Sequence, residues 1–251
     1  MISNSQVKQI KALSIKKFRD ESGLFLAEGT KLVLELLDCF NLELIIATPD
    51  WISQYGRDIV LNIQEVSPDE LQKVSCLKTP QGVLAVFKKL NYQISDIDSI
   101  NNLNLVLDDV QDPGNLGTII RIADWFGIHD IICSLHSADA FSPKTVQATM
   151  GALARVRVHY VDLEQFLNSQ TQPIPIFGTF MDGNSIYTEK LSANGIIVMG
   201  NEGNGISPKI EKLVTNKLLI PNFPANAKTS ESLNVGVATA IVCAEFRRGK
   251  I

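Results

Sequence analysis

"LDDVQDPGNLGTIIRIADWFG", Leu107 to Gly127, is the stretch whose reading decides the fold. An apolar, strand-like end runs through Asp112, Pro113, Gly114 and Asn115 into a helix-like run that includes Ile119, Ile120, Ile122 and Ala123. Asp-Pro-Gly is a turn signal, and Asn115 stands where a helix N-cap is wanted, its side chain able to bond the first helical amides. Architecture alone leaves Arg121 unexplained on such an apolar helix; taken singly, it reads as a surface charge.

The strand-turn-helix pattern repeats outward from this corner. Strands are predicted at Leu103 to Val110, Asp130 to Ser134, Arg155 to Tyr160, Ile174 to Phe180, Gly195 to Gly200 and Lys217 to Ile220. Between them the spacing predicts helices at Asn115 to Phe126, from about Pro143, at Asp162 to Asn168, at Ser207 to Val214 and at Ser232 to Phe246. Strands alternating with helices predict a mostly parallel sheet covered on both faces. Upstream, helical spacing runs from Val7 to about Phe40 with a turn near Gly23. "LELIIATPDWI" then reads as a strand ending at Pro49, "RDIVLNIQEVS" as a second, "SPDELQKVSCL" as a helix capped by Ser67 and "GVLAVFKK" as a strand. "NYQISDIDSINN" is polar and without period, a linker signal. The expected organisation is an α/β domain over residues 1–90, a linker at 91–102 and a second α/β domain at 103–251.

Bulk composition bounds the function. With 251 residues, 45% hydrophobic and 20% charged, the chain reads as an ordinary globular protein able to bury a large core. No apolar run is long enough to cross a bilayer, and the opening "MISNSQVKQIKALSIKKFRD" lacks a secretory core, so the expected location is the cytoplasm. A net charge of −4 and a pI of 5.4 argue against coating nucleic acid by bulk charge. Local basic runs remain, at Lys8, Lys11, Lys16, Lys17 and Arg19 and again at Arg247, Arg248 and Lys250. They read as solvated faces or as an RNA-contacting edge. Cys39, Cys76, Cys133 and Cys243 form no CxxC pair, and His129, His136 and His159 have no metal-ligand spacing, so no metal site is expected.

In a parallel sheet, ligands bind beyond the carboxyl ends of the strands. Three loops there are unusual: "DDVQDPGNLG", "VMGNEGNGIS" and "LIPNFPANAKTSESLN". The second spaces its glycines G-x-x-G-x-G, the reverse of the dinucleotide fingerprint, and no G-x-x-x-x-G-K-[ST] phosphate loop exists. Its Glu202 would repel a phosphate and welcome a cation or a structural arginine. In the third, Ser230, Glu231, Ser232 and Asn234 can cap the last helix. That helix is apolar nearly all round and must be covered, either inside the monomer or by a second subunit.

The three loops together resemble the SpoU (TrmH) family of RNA ribose 2′-O-methyltransferases in the SPOUT superfamily. "DPGNLGTIIRIADWFG", "VMGNEGNGIS" and "IPN...SLNVGVATAI" look like its three motifs in order, and the resemblance covers Leu103 to Phe246. "FLAEGTKLVLELL" and "TPQGVLAVF" echo the family's small ribosomal-protein-like RNA-binding domain. The resemblance implies a C-terminal segment threaded as a deep trefoil knot, S-adenosylmethionine held bent in the knot loops, and a homodimer whose interface lies at the active site. Its substrate is RNA, ribosomal RNA ahead of tRNA, with no metal and no membrane.

Carried onto this chain, the resemblance assigns Asn115 and Arg121 to the first motif, Glu202 to the second, and Ser232 with Asn234 to the third. Gly200, Ile220 and Leu233 match positions that grip the cofactor largely by backbone, and Thr179 borders the same pocket. Arg121 would stabilise charge developing on the ribose oxygen and position phosphate, because guanidinium forks onto phosphate and stays protonated. Glu202 would fix Arg121 or nearby amides. Between Pro221 and Ser232 the chain carries "NFPANAKTSE", where many relatives have a shorter link containing methionine and glycine. Two other readings are a catalytically silent RNA-binding member and an unrelated nucleotide-binding enzyme. Retention of all five polar residues argues against the first, and the reversed glycine order against the second.

Overall fold

A computed structural model describes residues 2–56, 63–170, 172–224 and 232–249. The chain forms two units: Met1–Asn91 with Asp139–Ala154, and Tyr92–Ala138 with Arg155–Ile251.

The first unit holds helices α1 (Asn4–Ala12), α2 (Lys16–Ser22), α3 (Thr30–Leu37), α4 (Pro49–Tyr55) and α5 (Pro68–Val74), and strands β1 (Leu24–Glu28), β2 (Leu42–Ala47), β3 (Ile63–Glu65) and β4 (Val83–Lys88). Its sheet has the order β1-β4-β2-β3, with β4 antiparallel to both neighbours and β2 parallel to β3. Ser67 starts α5 as expected, whereas Ser3 starts α1 four residues before Val7, where the helical reading begins. Ser3 with Gln6 and Ser67 with Glu70 form capping boxes, each side chain satisfying an amide that the helix leaves open.

Two expectations fail here for one reason. The helical reading from Val7 to Phe40 misses β1, and the strand reading of "LELIIATPDWI" runs past Ala47, where Thr48 caps α4 and accepts from the Trp51 amide. Short apolar runs carry no decisive period, so burial decides them: Phe25, Leu26 and Ala27 have at most 1% exposure. Phe25 packs on Phe40, Phe87 and Phe141, with ring centroids 5.1, 5.7 and 4.9 Å away.

Phe141 belongs to the segment that departs from the expected 103–251 organisation. Asp139–Ala154, which contains α7 (Pro143–Thr149), groups with the first unit. Arg19 is 2% exposed and holds this segment: its Nε and Nη2 donate to Asp139 Oδ2 at 3.0 and 2.6 Å, and Nη1 donates to the Leu13 carbonyl at 2.7 Å. Arg19 is therefore structural and leaves the basic N-terminal run. The stretch 91–102 contains a 3₁₀ turn at Ile94–Asp96 and falls at the junction, with Tyr92 onward in the second unit.

The second unit holds β5 (Leu103–Leu107), α6 (Pro113–Trp125), β6 (Asp130–Ser134), β7 (Arg157–Val161), α8 (Leu163–Asn168), β8 (Ile176–Ser185), β9 (Gly195–Met199), α9 (Pro208–Glu211), β10 (Asn216–Leu219) and α10 (Val235–Arg247). Its six strands, in the order β10-β8-β9-β5-β6-β7, are all parallel, as the alternation predicts. Every residue of β5 and of β9 is buried. One irregularity matters below. Lys217 pairs with Gly178, but Leu218 pairs with Asn184, so Thr179–Gly183 leave the β8–β10 ladder as a bulge. Lys217 Nζ pins the bulge by donating to Asp182 at 3.0 Å while lying 4.7 Å from the Phe180 ring centroid.

At the other end of the unit Asp130 is 4% exposed; it accepts two bonds from Arg157, at 2.8 and 2.7 Å, and lies 2.9 Å from His159 Nε2. Burial alone would push the Asp130 carboxyl up, but these two partners outweigh it and hold it below the usual range. Arg247 donates to the carbonyls of Phe126 and Gly127 at 2.9 and 3.3 Å, closing the C-terminal end of α6. It too is a structural group and not part of a free basic edge.

Candidate active site

Parallel strands send their carboxyl-end loops to one edge, and three of those loops are tied together by hydrogen bonds. After β5, the buried Asp108 accepts from the Ser207 amide at 2.7 Å. Asp109 follows in the left-handed region, φ 61, its amide donating to Ser134 Oγ at 3.0 Å and its carbonyl accepting from Asn201 Nδ2 at 2.8 Å. Asp112 then caps α6, accepting from the Asn115 amide at 2.9 Å.

Asn115 is thus not the cap. Asp112 takes that role from three positions upstream, which frees the Asn115 side chain for the other two loops. Its Nδ2 donates to Glu202 Oε1, and its Oδ1 accepts from Asn234 Nδ2 at 3.0 Å. Asn234 is itself the cap of α10, its Oδ1 accepting from the amides of Gly236 and Val237 at 3.0 and 3.3 Å. One residue from each motif therefore meets in a single hydrogen-bonded row, Asn234 to Asn115 to Glu202. α10 comes close to α6 where Gly236 has Thr118 as neighbour; a Cβ on Gly236 would stand 3.2 Å from Thr118 Cγ2.

The glycine loop folds into a tight reversal. Asn201 and Gly205 exchange both backbone hydrogen bonds at 2.9 Å, and Gly205 has φ +68. Gly200 needs its missing side chain, because a Cβ there would land on the Gly205–Ile206 peptide. Beside this loop lies a cavity of about 440 Å³. Its walls include all four residues expected to grip a cofactor, Thr179, Gly200, Ile220 and Leu233, together with Glu202 and Ser232. The β8 bulge supplies Thr179, Phe180 and Met181, which a regular ladder would have kept in the sheet. Among the described residues the lining carries one carboxylate, Glu202, and no lysine or arginine. Such a mostly apolar cavity of nucleoside size suits a neutral or cationic ligand and disfavours a phosphate.

Arg121 is not part of this lining. Six positions beyond Asn115, it lies roughly 9 Å along α6 and about 120° around it, which carries it off the face that Asn115 presents to Glu202. It is exposed and makes no hydrogen bond or ion pair among the described residues. Glu202 takes Asn115 as its partner and not Arg121. Ser230 and Glu231 lie outside the described residues, as does most of the link from Asn222 to Glu231. Sequence reasoning overlooked Asn201, Asp109 and the Phe180–Met181 wall. Asparagine within a glycine-rich reversal was a readable signal for the first, since its side chain bonds amides two residues on.

Among the described residues no group of three metal-ligating side chains exists, and no helix is long and apolar enough to cross a membrane. The four cysteines are free; burial pushes the Cys243 thiol up to about 12.

The second unit is a parallel α/β domain whose strand-end loops border a nucleoside-sized cavity lined, among the described residues, by no lysine or arginine. The chain belongs to the SpoU rRNA methylase family, which residues 102–244 match, while residues 4–85 match the MRM3-like substrate binding domain. It is 31% identical over 248 residues to the 23S rRNA (guanosine(2553)-2′-O)-methyltransferase RlmP of Bacillus subtilis, with 97% of this chain and 96% of the relative covered. Among solved structures, a TrmH-family protein from Porphyromonas gingivalis superposes with a TM-score of 0.87 at 39% identity, covering 99% of each chain. The S-adenosylmethionine-bound rRNA methyltransferase of Sinorhizobium meliloti does so with a TM-score of 0.89 at 30% identity, covering 100% of this chain and 97% of that one. As a member of this family the protein is an RNA ribose 2′-O-methyltransferase that uses S-adenosylmethionine.

Proposed function

We propose that the cavity bordered by Thr179, Gly200, Ile220 and Leu233 is where S-adenosylmethionine binds, and that its methyl group goes to a ribose 2′-hydroxyl of ribosomal RNA. The observation that carries this reading is the junction of the three loops: one hydrogen-bonded row at the edge of a cavity whose charged lining, among the described residues, is the single carboxylate of Glu202. The residues present fit the cofactor, since Glu202 favours its cationic centre and Gly200 lets backbone approach it closely.

When bound, the cofactor supplies an electrophilic methyl carbon on a positively charged sulfur. The chain's residues align the ribose oxygen towards that carbon and stabilise charge building on the oxygen while its proton passes to solvent water. Asn115, Asn234, Glu202 and Ser232 provide the fixed polar frame. Arg121 stabilises the developing oxygen charge and holds the neighbouring phosphate.

Arg121 needs a second copy of the chain to do this. Trp125, 85% exposed, stands four residues from it on the same face of α6, and Val237 on α10 is 52% exposed. Exposed apolar side chains of this kind on α6 and α10 support a homodimer that brings the Arg121 face to the catalytic frame. Residues 1–90 contribute RNA contacts through Lys8, Lys11, Lys16 and Lys17, and the last segment is threaded as a trefoil knot. The protein works in the cytoplasm.

Incubation with tritiated S-adenosylmethionine and total rRNA or tRNA, followed by digestion to nucleosides, tests the reaction. Label on ribose in rRNA is expected; label on a base, or in no RNA, overturns it. Light scattering should give twice the chain mass, a crystal structure should trace the threading, and cell fractionation checks the location.

A further inference from the structure

We propose that Asn201 is a positioning residue for methyl transfer, holding the wall of the cofactor cavity and the catalytic loop in one register. This rests on the cavity being the cofactor site. Asn201 uses both ends of its amide at once. Oδ1 accepts from the amides of Gly203 and Asn204 at 2.9 and 3.1 Å, which closes the reversal that lines the cavity. Nδ2 donates at 2.8 Å to the carbonyl of Asp109, in the loop leading to α6.

Asp109 is where such a hold has most effect. A non-glycine residue at φ 61 is strained, and it persists only when its surroundings fix it on both sides. Here Ser134 Oγ fixes its amide and Asn201 its carbonyl. Six positions on lies Asn115, whose partner Glu202 is the neighbour of Asn201. The glycine loop therefore grips the β5–α6 loop at three points: the Asp108 carboxylate through the Ser207 amide, the Asp109 carbonyl through Asn201 and the Asn115 side chain through Glu202. Of these the Asn201 bond alone holds the backbone of the residue at φ 61, so its release frees the chain between the other two.

The two ends of the amide can be separated. Asn201→Asp keeps an acceptor for Gly203 and Asn204 but cannot donate to the Asp109 carbonyl; Asn201→Ala loses both. Titration calorimetry with S-adenosylmethionine, single-turnover methyl transfer to rRNA at saturating cofactor, and thermal unfolding are read for wild type and both variants. In Asn201→Asp the affinity should stay within about threefold of wild type while turnover falls about tenfold, the weight of one net hydrogen bond. In Asn201→Ala both should fall about tenfold or more. Wild-type turnover in Asn201→Asp, or a fall in melting temperature with affinity and turnover intact, overturns the positioning role. Should Asn201→Ala not fold, Asn201→Asp alone decides. If wild type itself neither binds S-adenosylmethionine nor transfers a methyl group, the assignment of the cavity fails instead.

Discussion

The two sheets of this protein spend similar residues on opposite ends. In the four-stranded sheet β4 runs against both neighbours, so strand ends of either sense lie at each edge and no set of loops converges. Its buried charges are consumed in holding elements together: Arg19 on Asp139, and Glu28 on the Ser75 hydroxyl and the Cys76 amide, the latter at 2.7 Å. In the six-stranded sheet every pair is parallel, the carboxyl ends share one edge, and the loops after β5, β9 and β10 meet there in a row of polar side chains. Strand direction, more than composition, separates a region whose polar groups tie elements together from one whose polar groups gather at a single edge beside a cavity.

The sharpest way to break the contrast is on the stabilising side. Arg19→Ala leaves the largely covered Asp139, its side chain 11% exposed, without its cation and should cost about 3 kcal/mol, read as a fall in denaturant midpoint. Cofactor affinity measured under native conditions should stay within about twofold, since neither residue lines the cavity. A large loss of affinity would show that the two regions are not so divided.

On the chemical side Arg121→Ala should do the reverse, lowering turnover by about 10²–10³ with stability and cofactor affinity almost unchanged. Full turnover would remove Arg121 from the reaction. Gly200→Ala probes the wall between: its Cβ must displace the Gly205–Ile206 peptide, at about 1–3 kcal/mol, and cofactor affinity measured by calorimetry should drop at least tenfold or so.

The smallest effect belongs to Asp130, a stabilising cluster within the catalytic unit. Its folded-state pKa is held below the unfolded value near 3.8, so its contribution is present above that pH and is lost as pH falls through the folded value. The stability gap between wild type and Asp130→Asn, measured by urea unfolding, should therefore be full at pH 6 and close below about pH 4. Turnover at pH 7 should not register the substitution. A gap that grows on acidification would contradict the pairing.

Much of this was written in local pattern. The parallel sheet followed from apolar runs alternating with amphipathic ones, and the caps at Ser67 and Asn234 from side chains that bond the nearest open amides. The cavity's four borders, Thr179, Gly200, Ile220 and Leu233, were legible only as a likeness to a family, because backbone contacts leave no mark on composition. Asn115 was found but given the wrong bond, since Asp112 and Asn115 are both good caps and only the three-dimensional partner Glu202 distinguishes them.

What the sequence alone determined is what acts over a few residues: a capped helix start such as that at Ser67, the buried strands, and a glycine spacing that fits neither a dinucleotide fingerprint nor a phosphate loop. The tertiary structure decided what depends on pairs far apart. Arg19 recruits Asp139 across 120 positions, the bulge at Thr179–Gly183 appears only in register against β10, and Asn234 reaches Asn115 across 119. Such pairings are chosen by the burial of a charge or an amide once the chain is compact, and no local propensity records them.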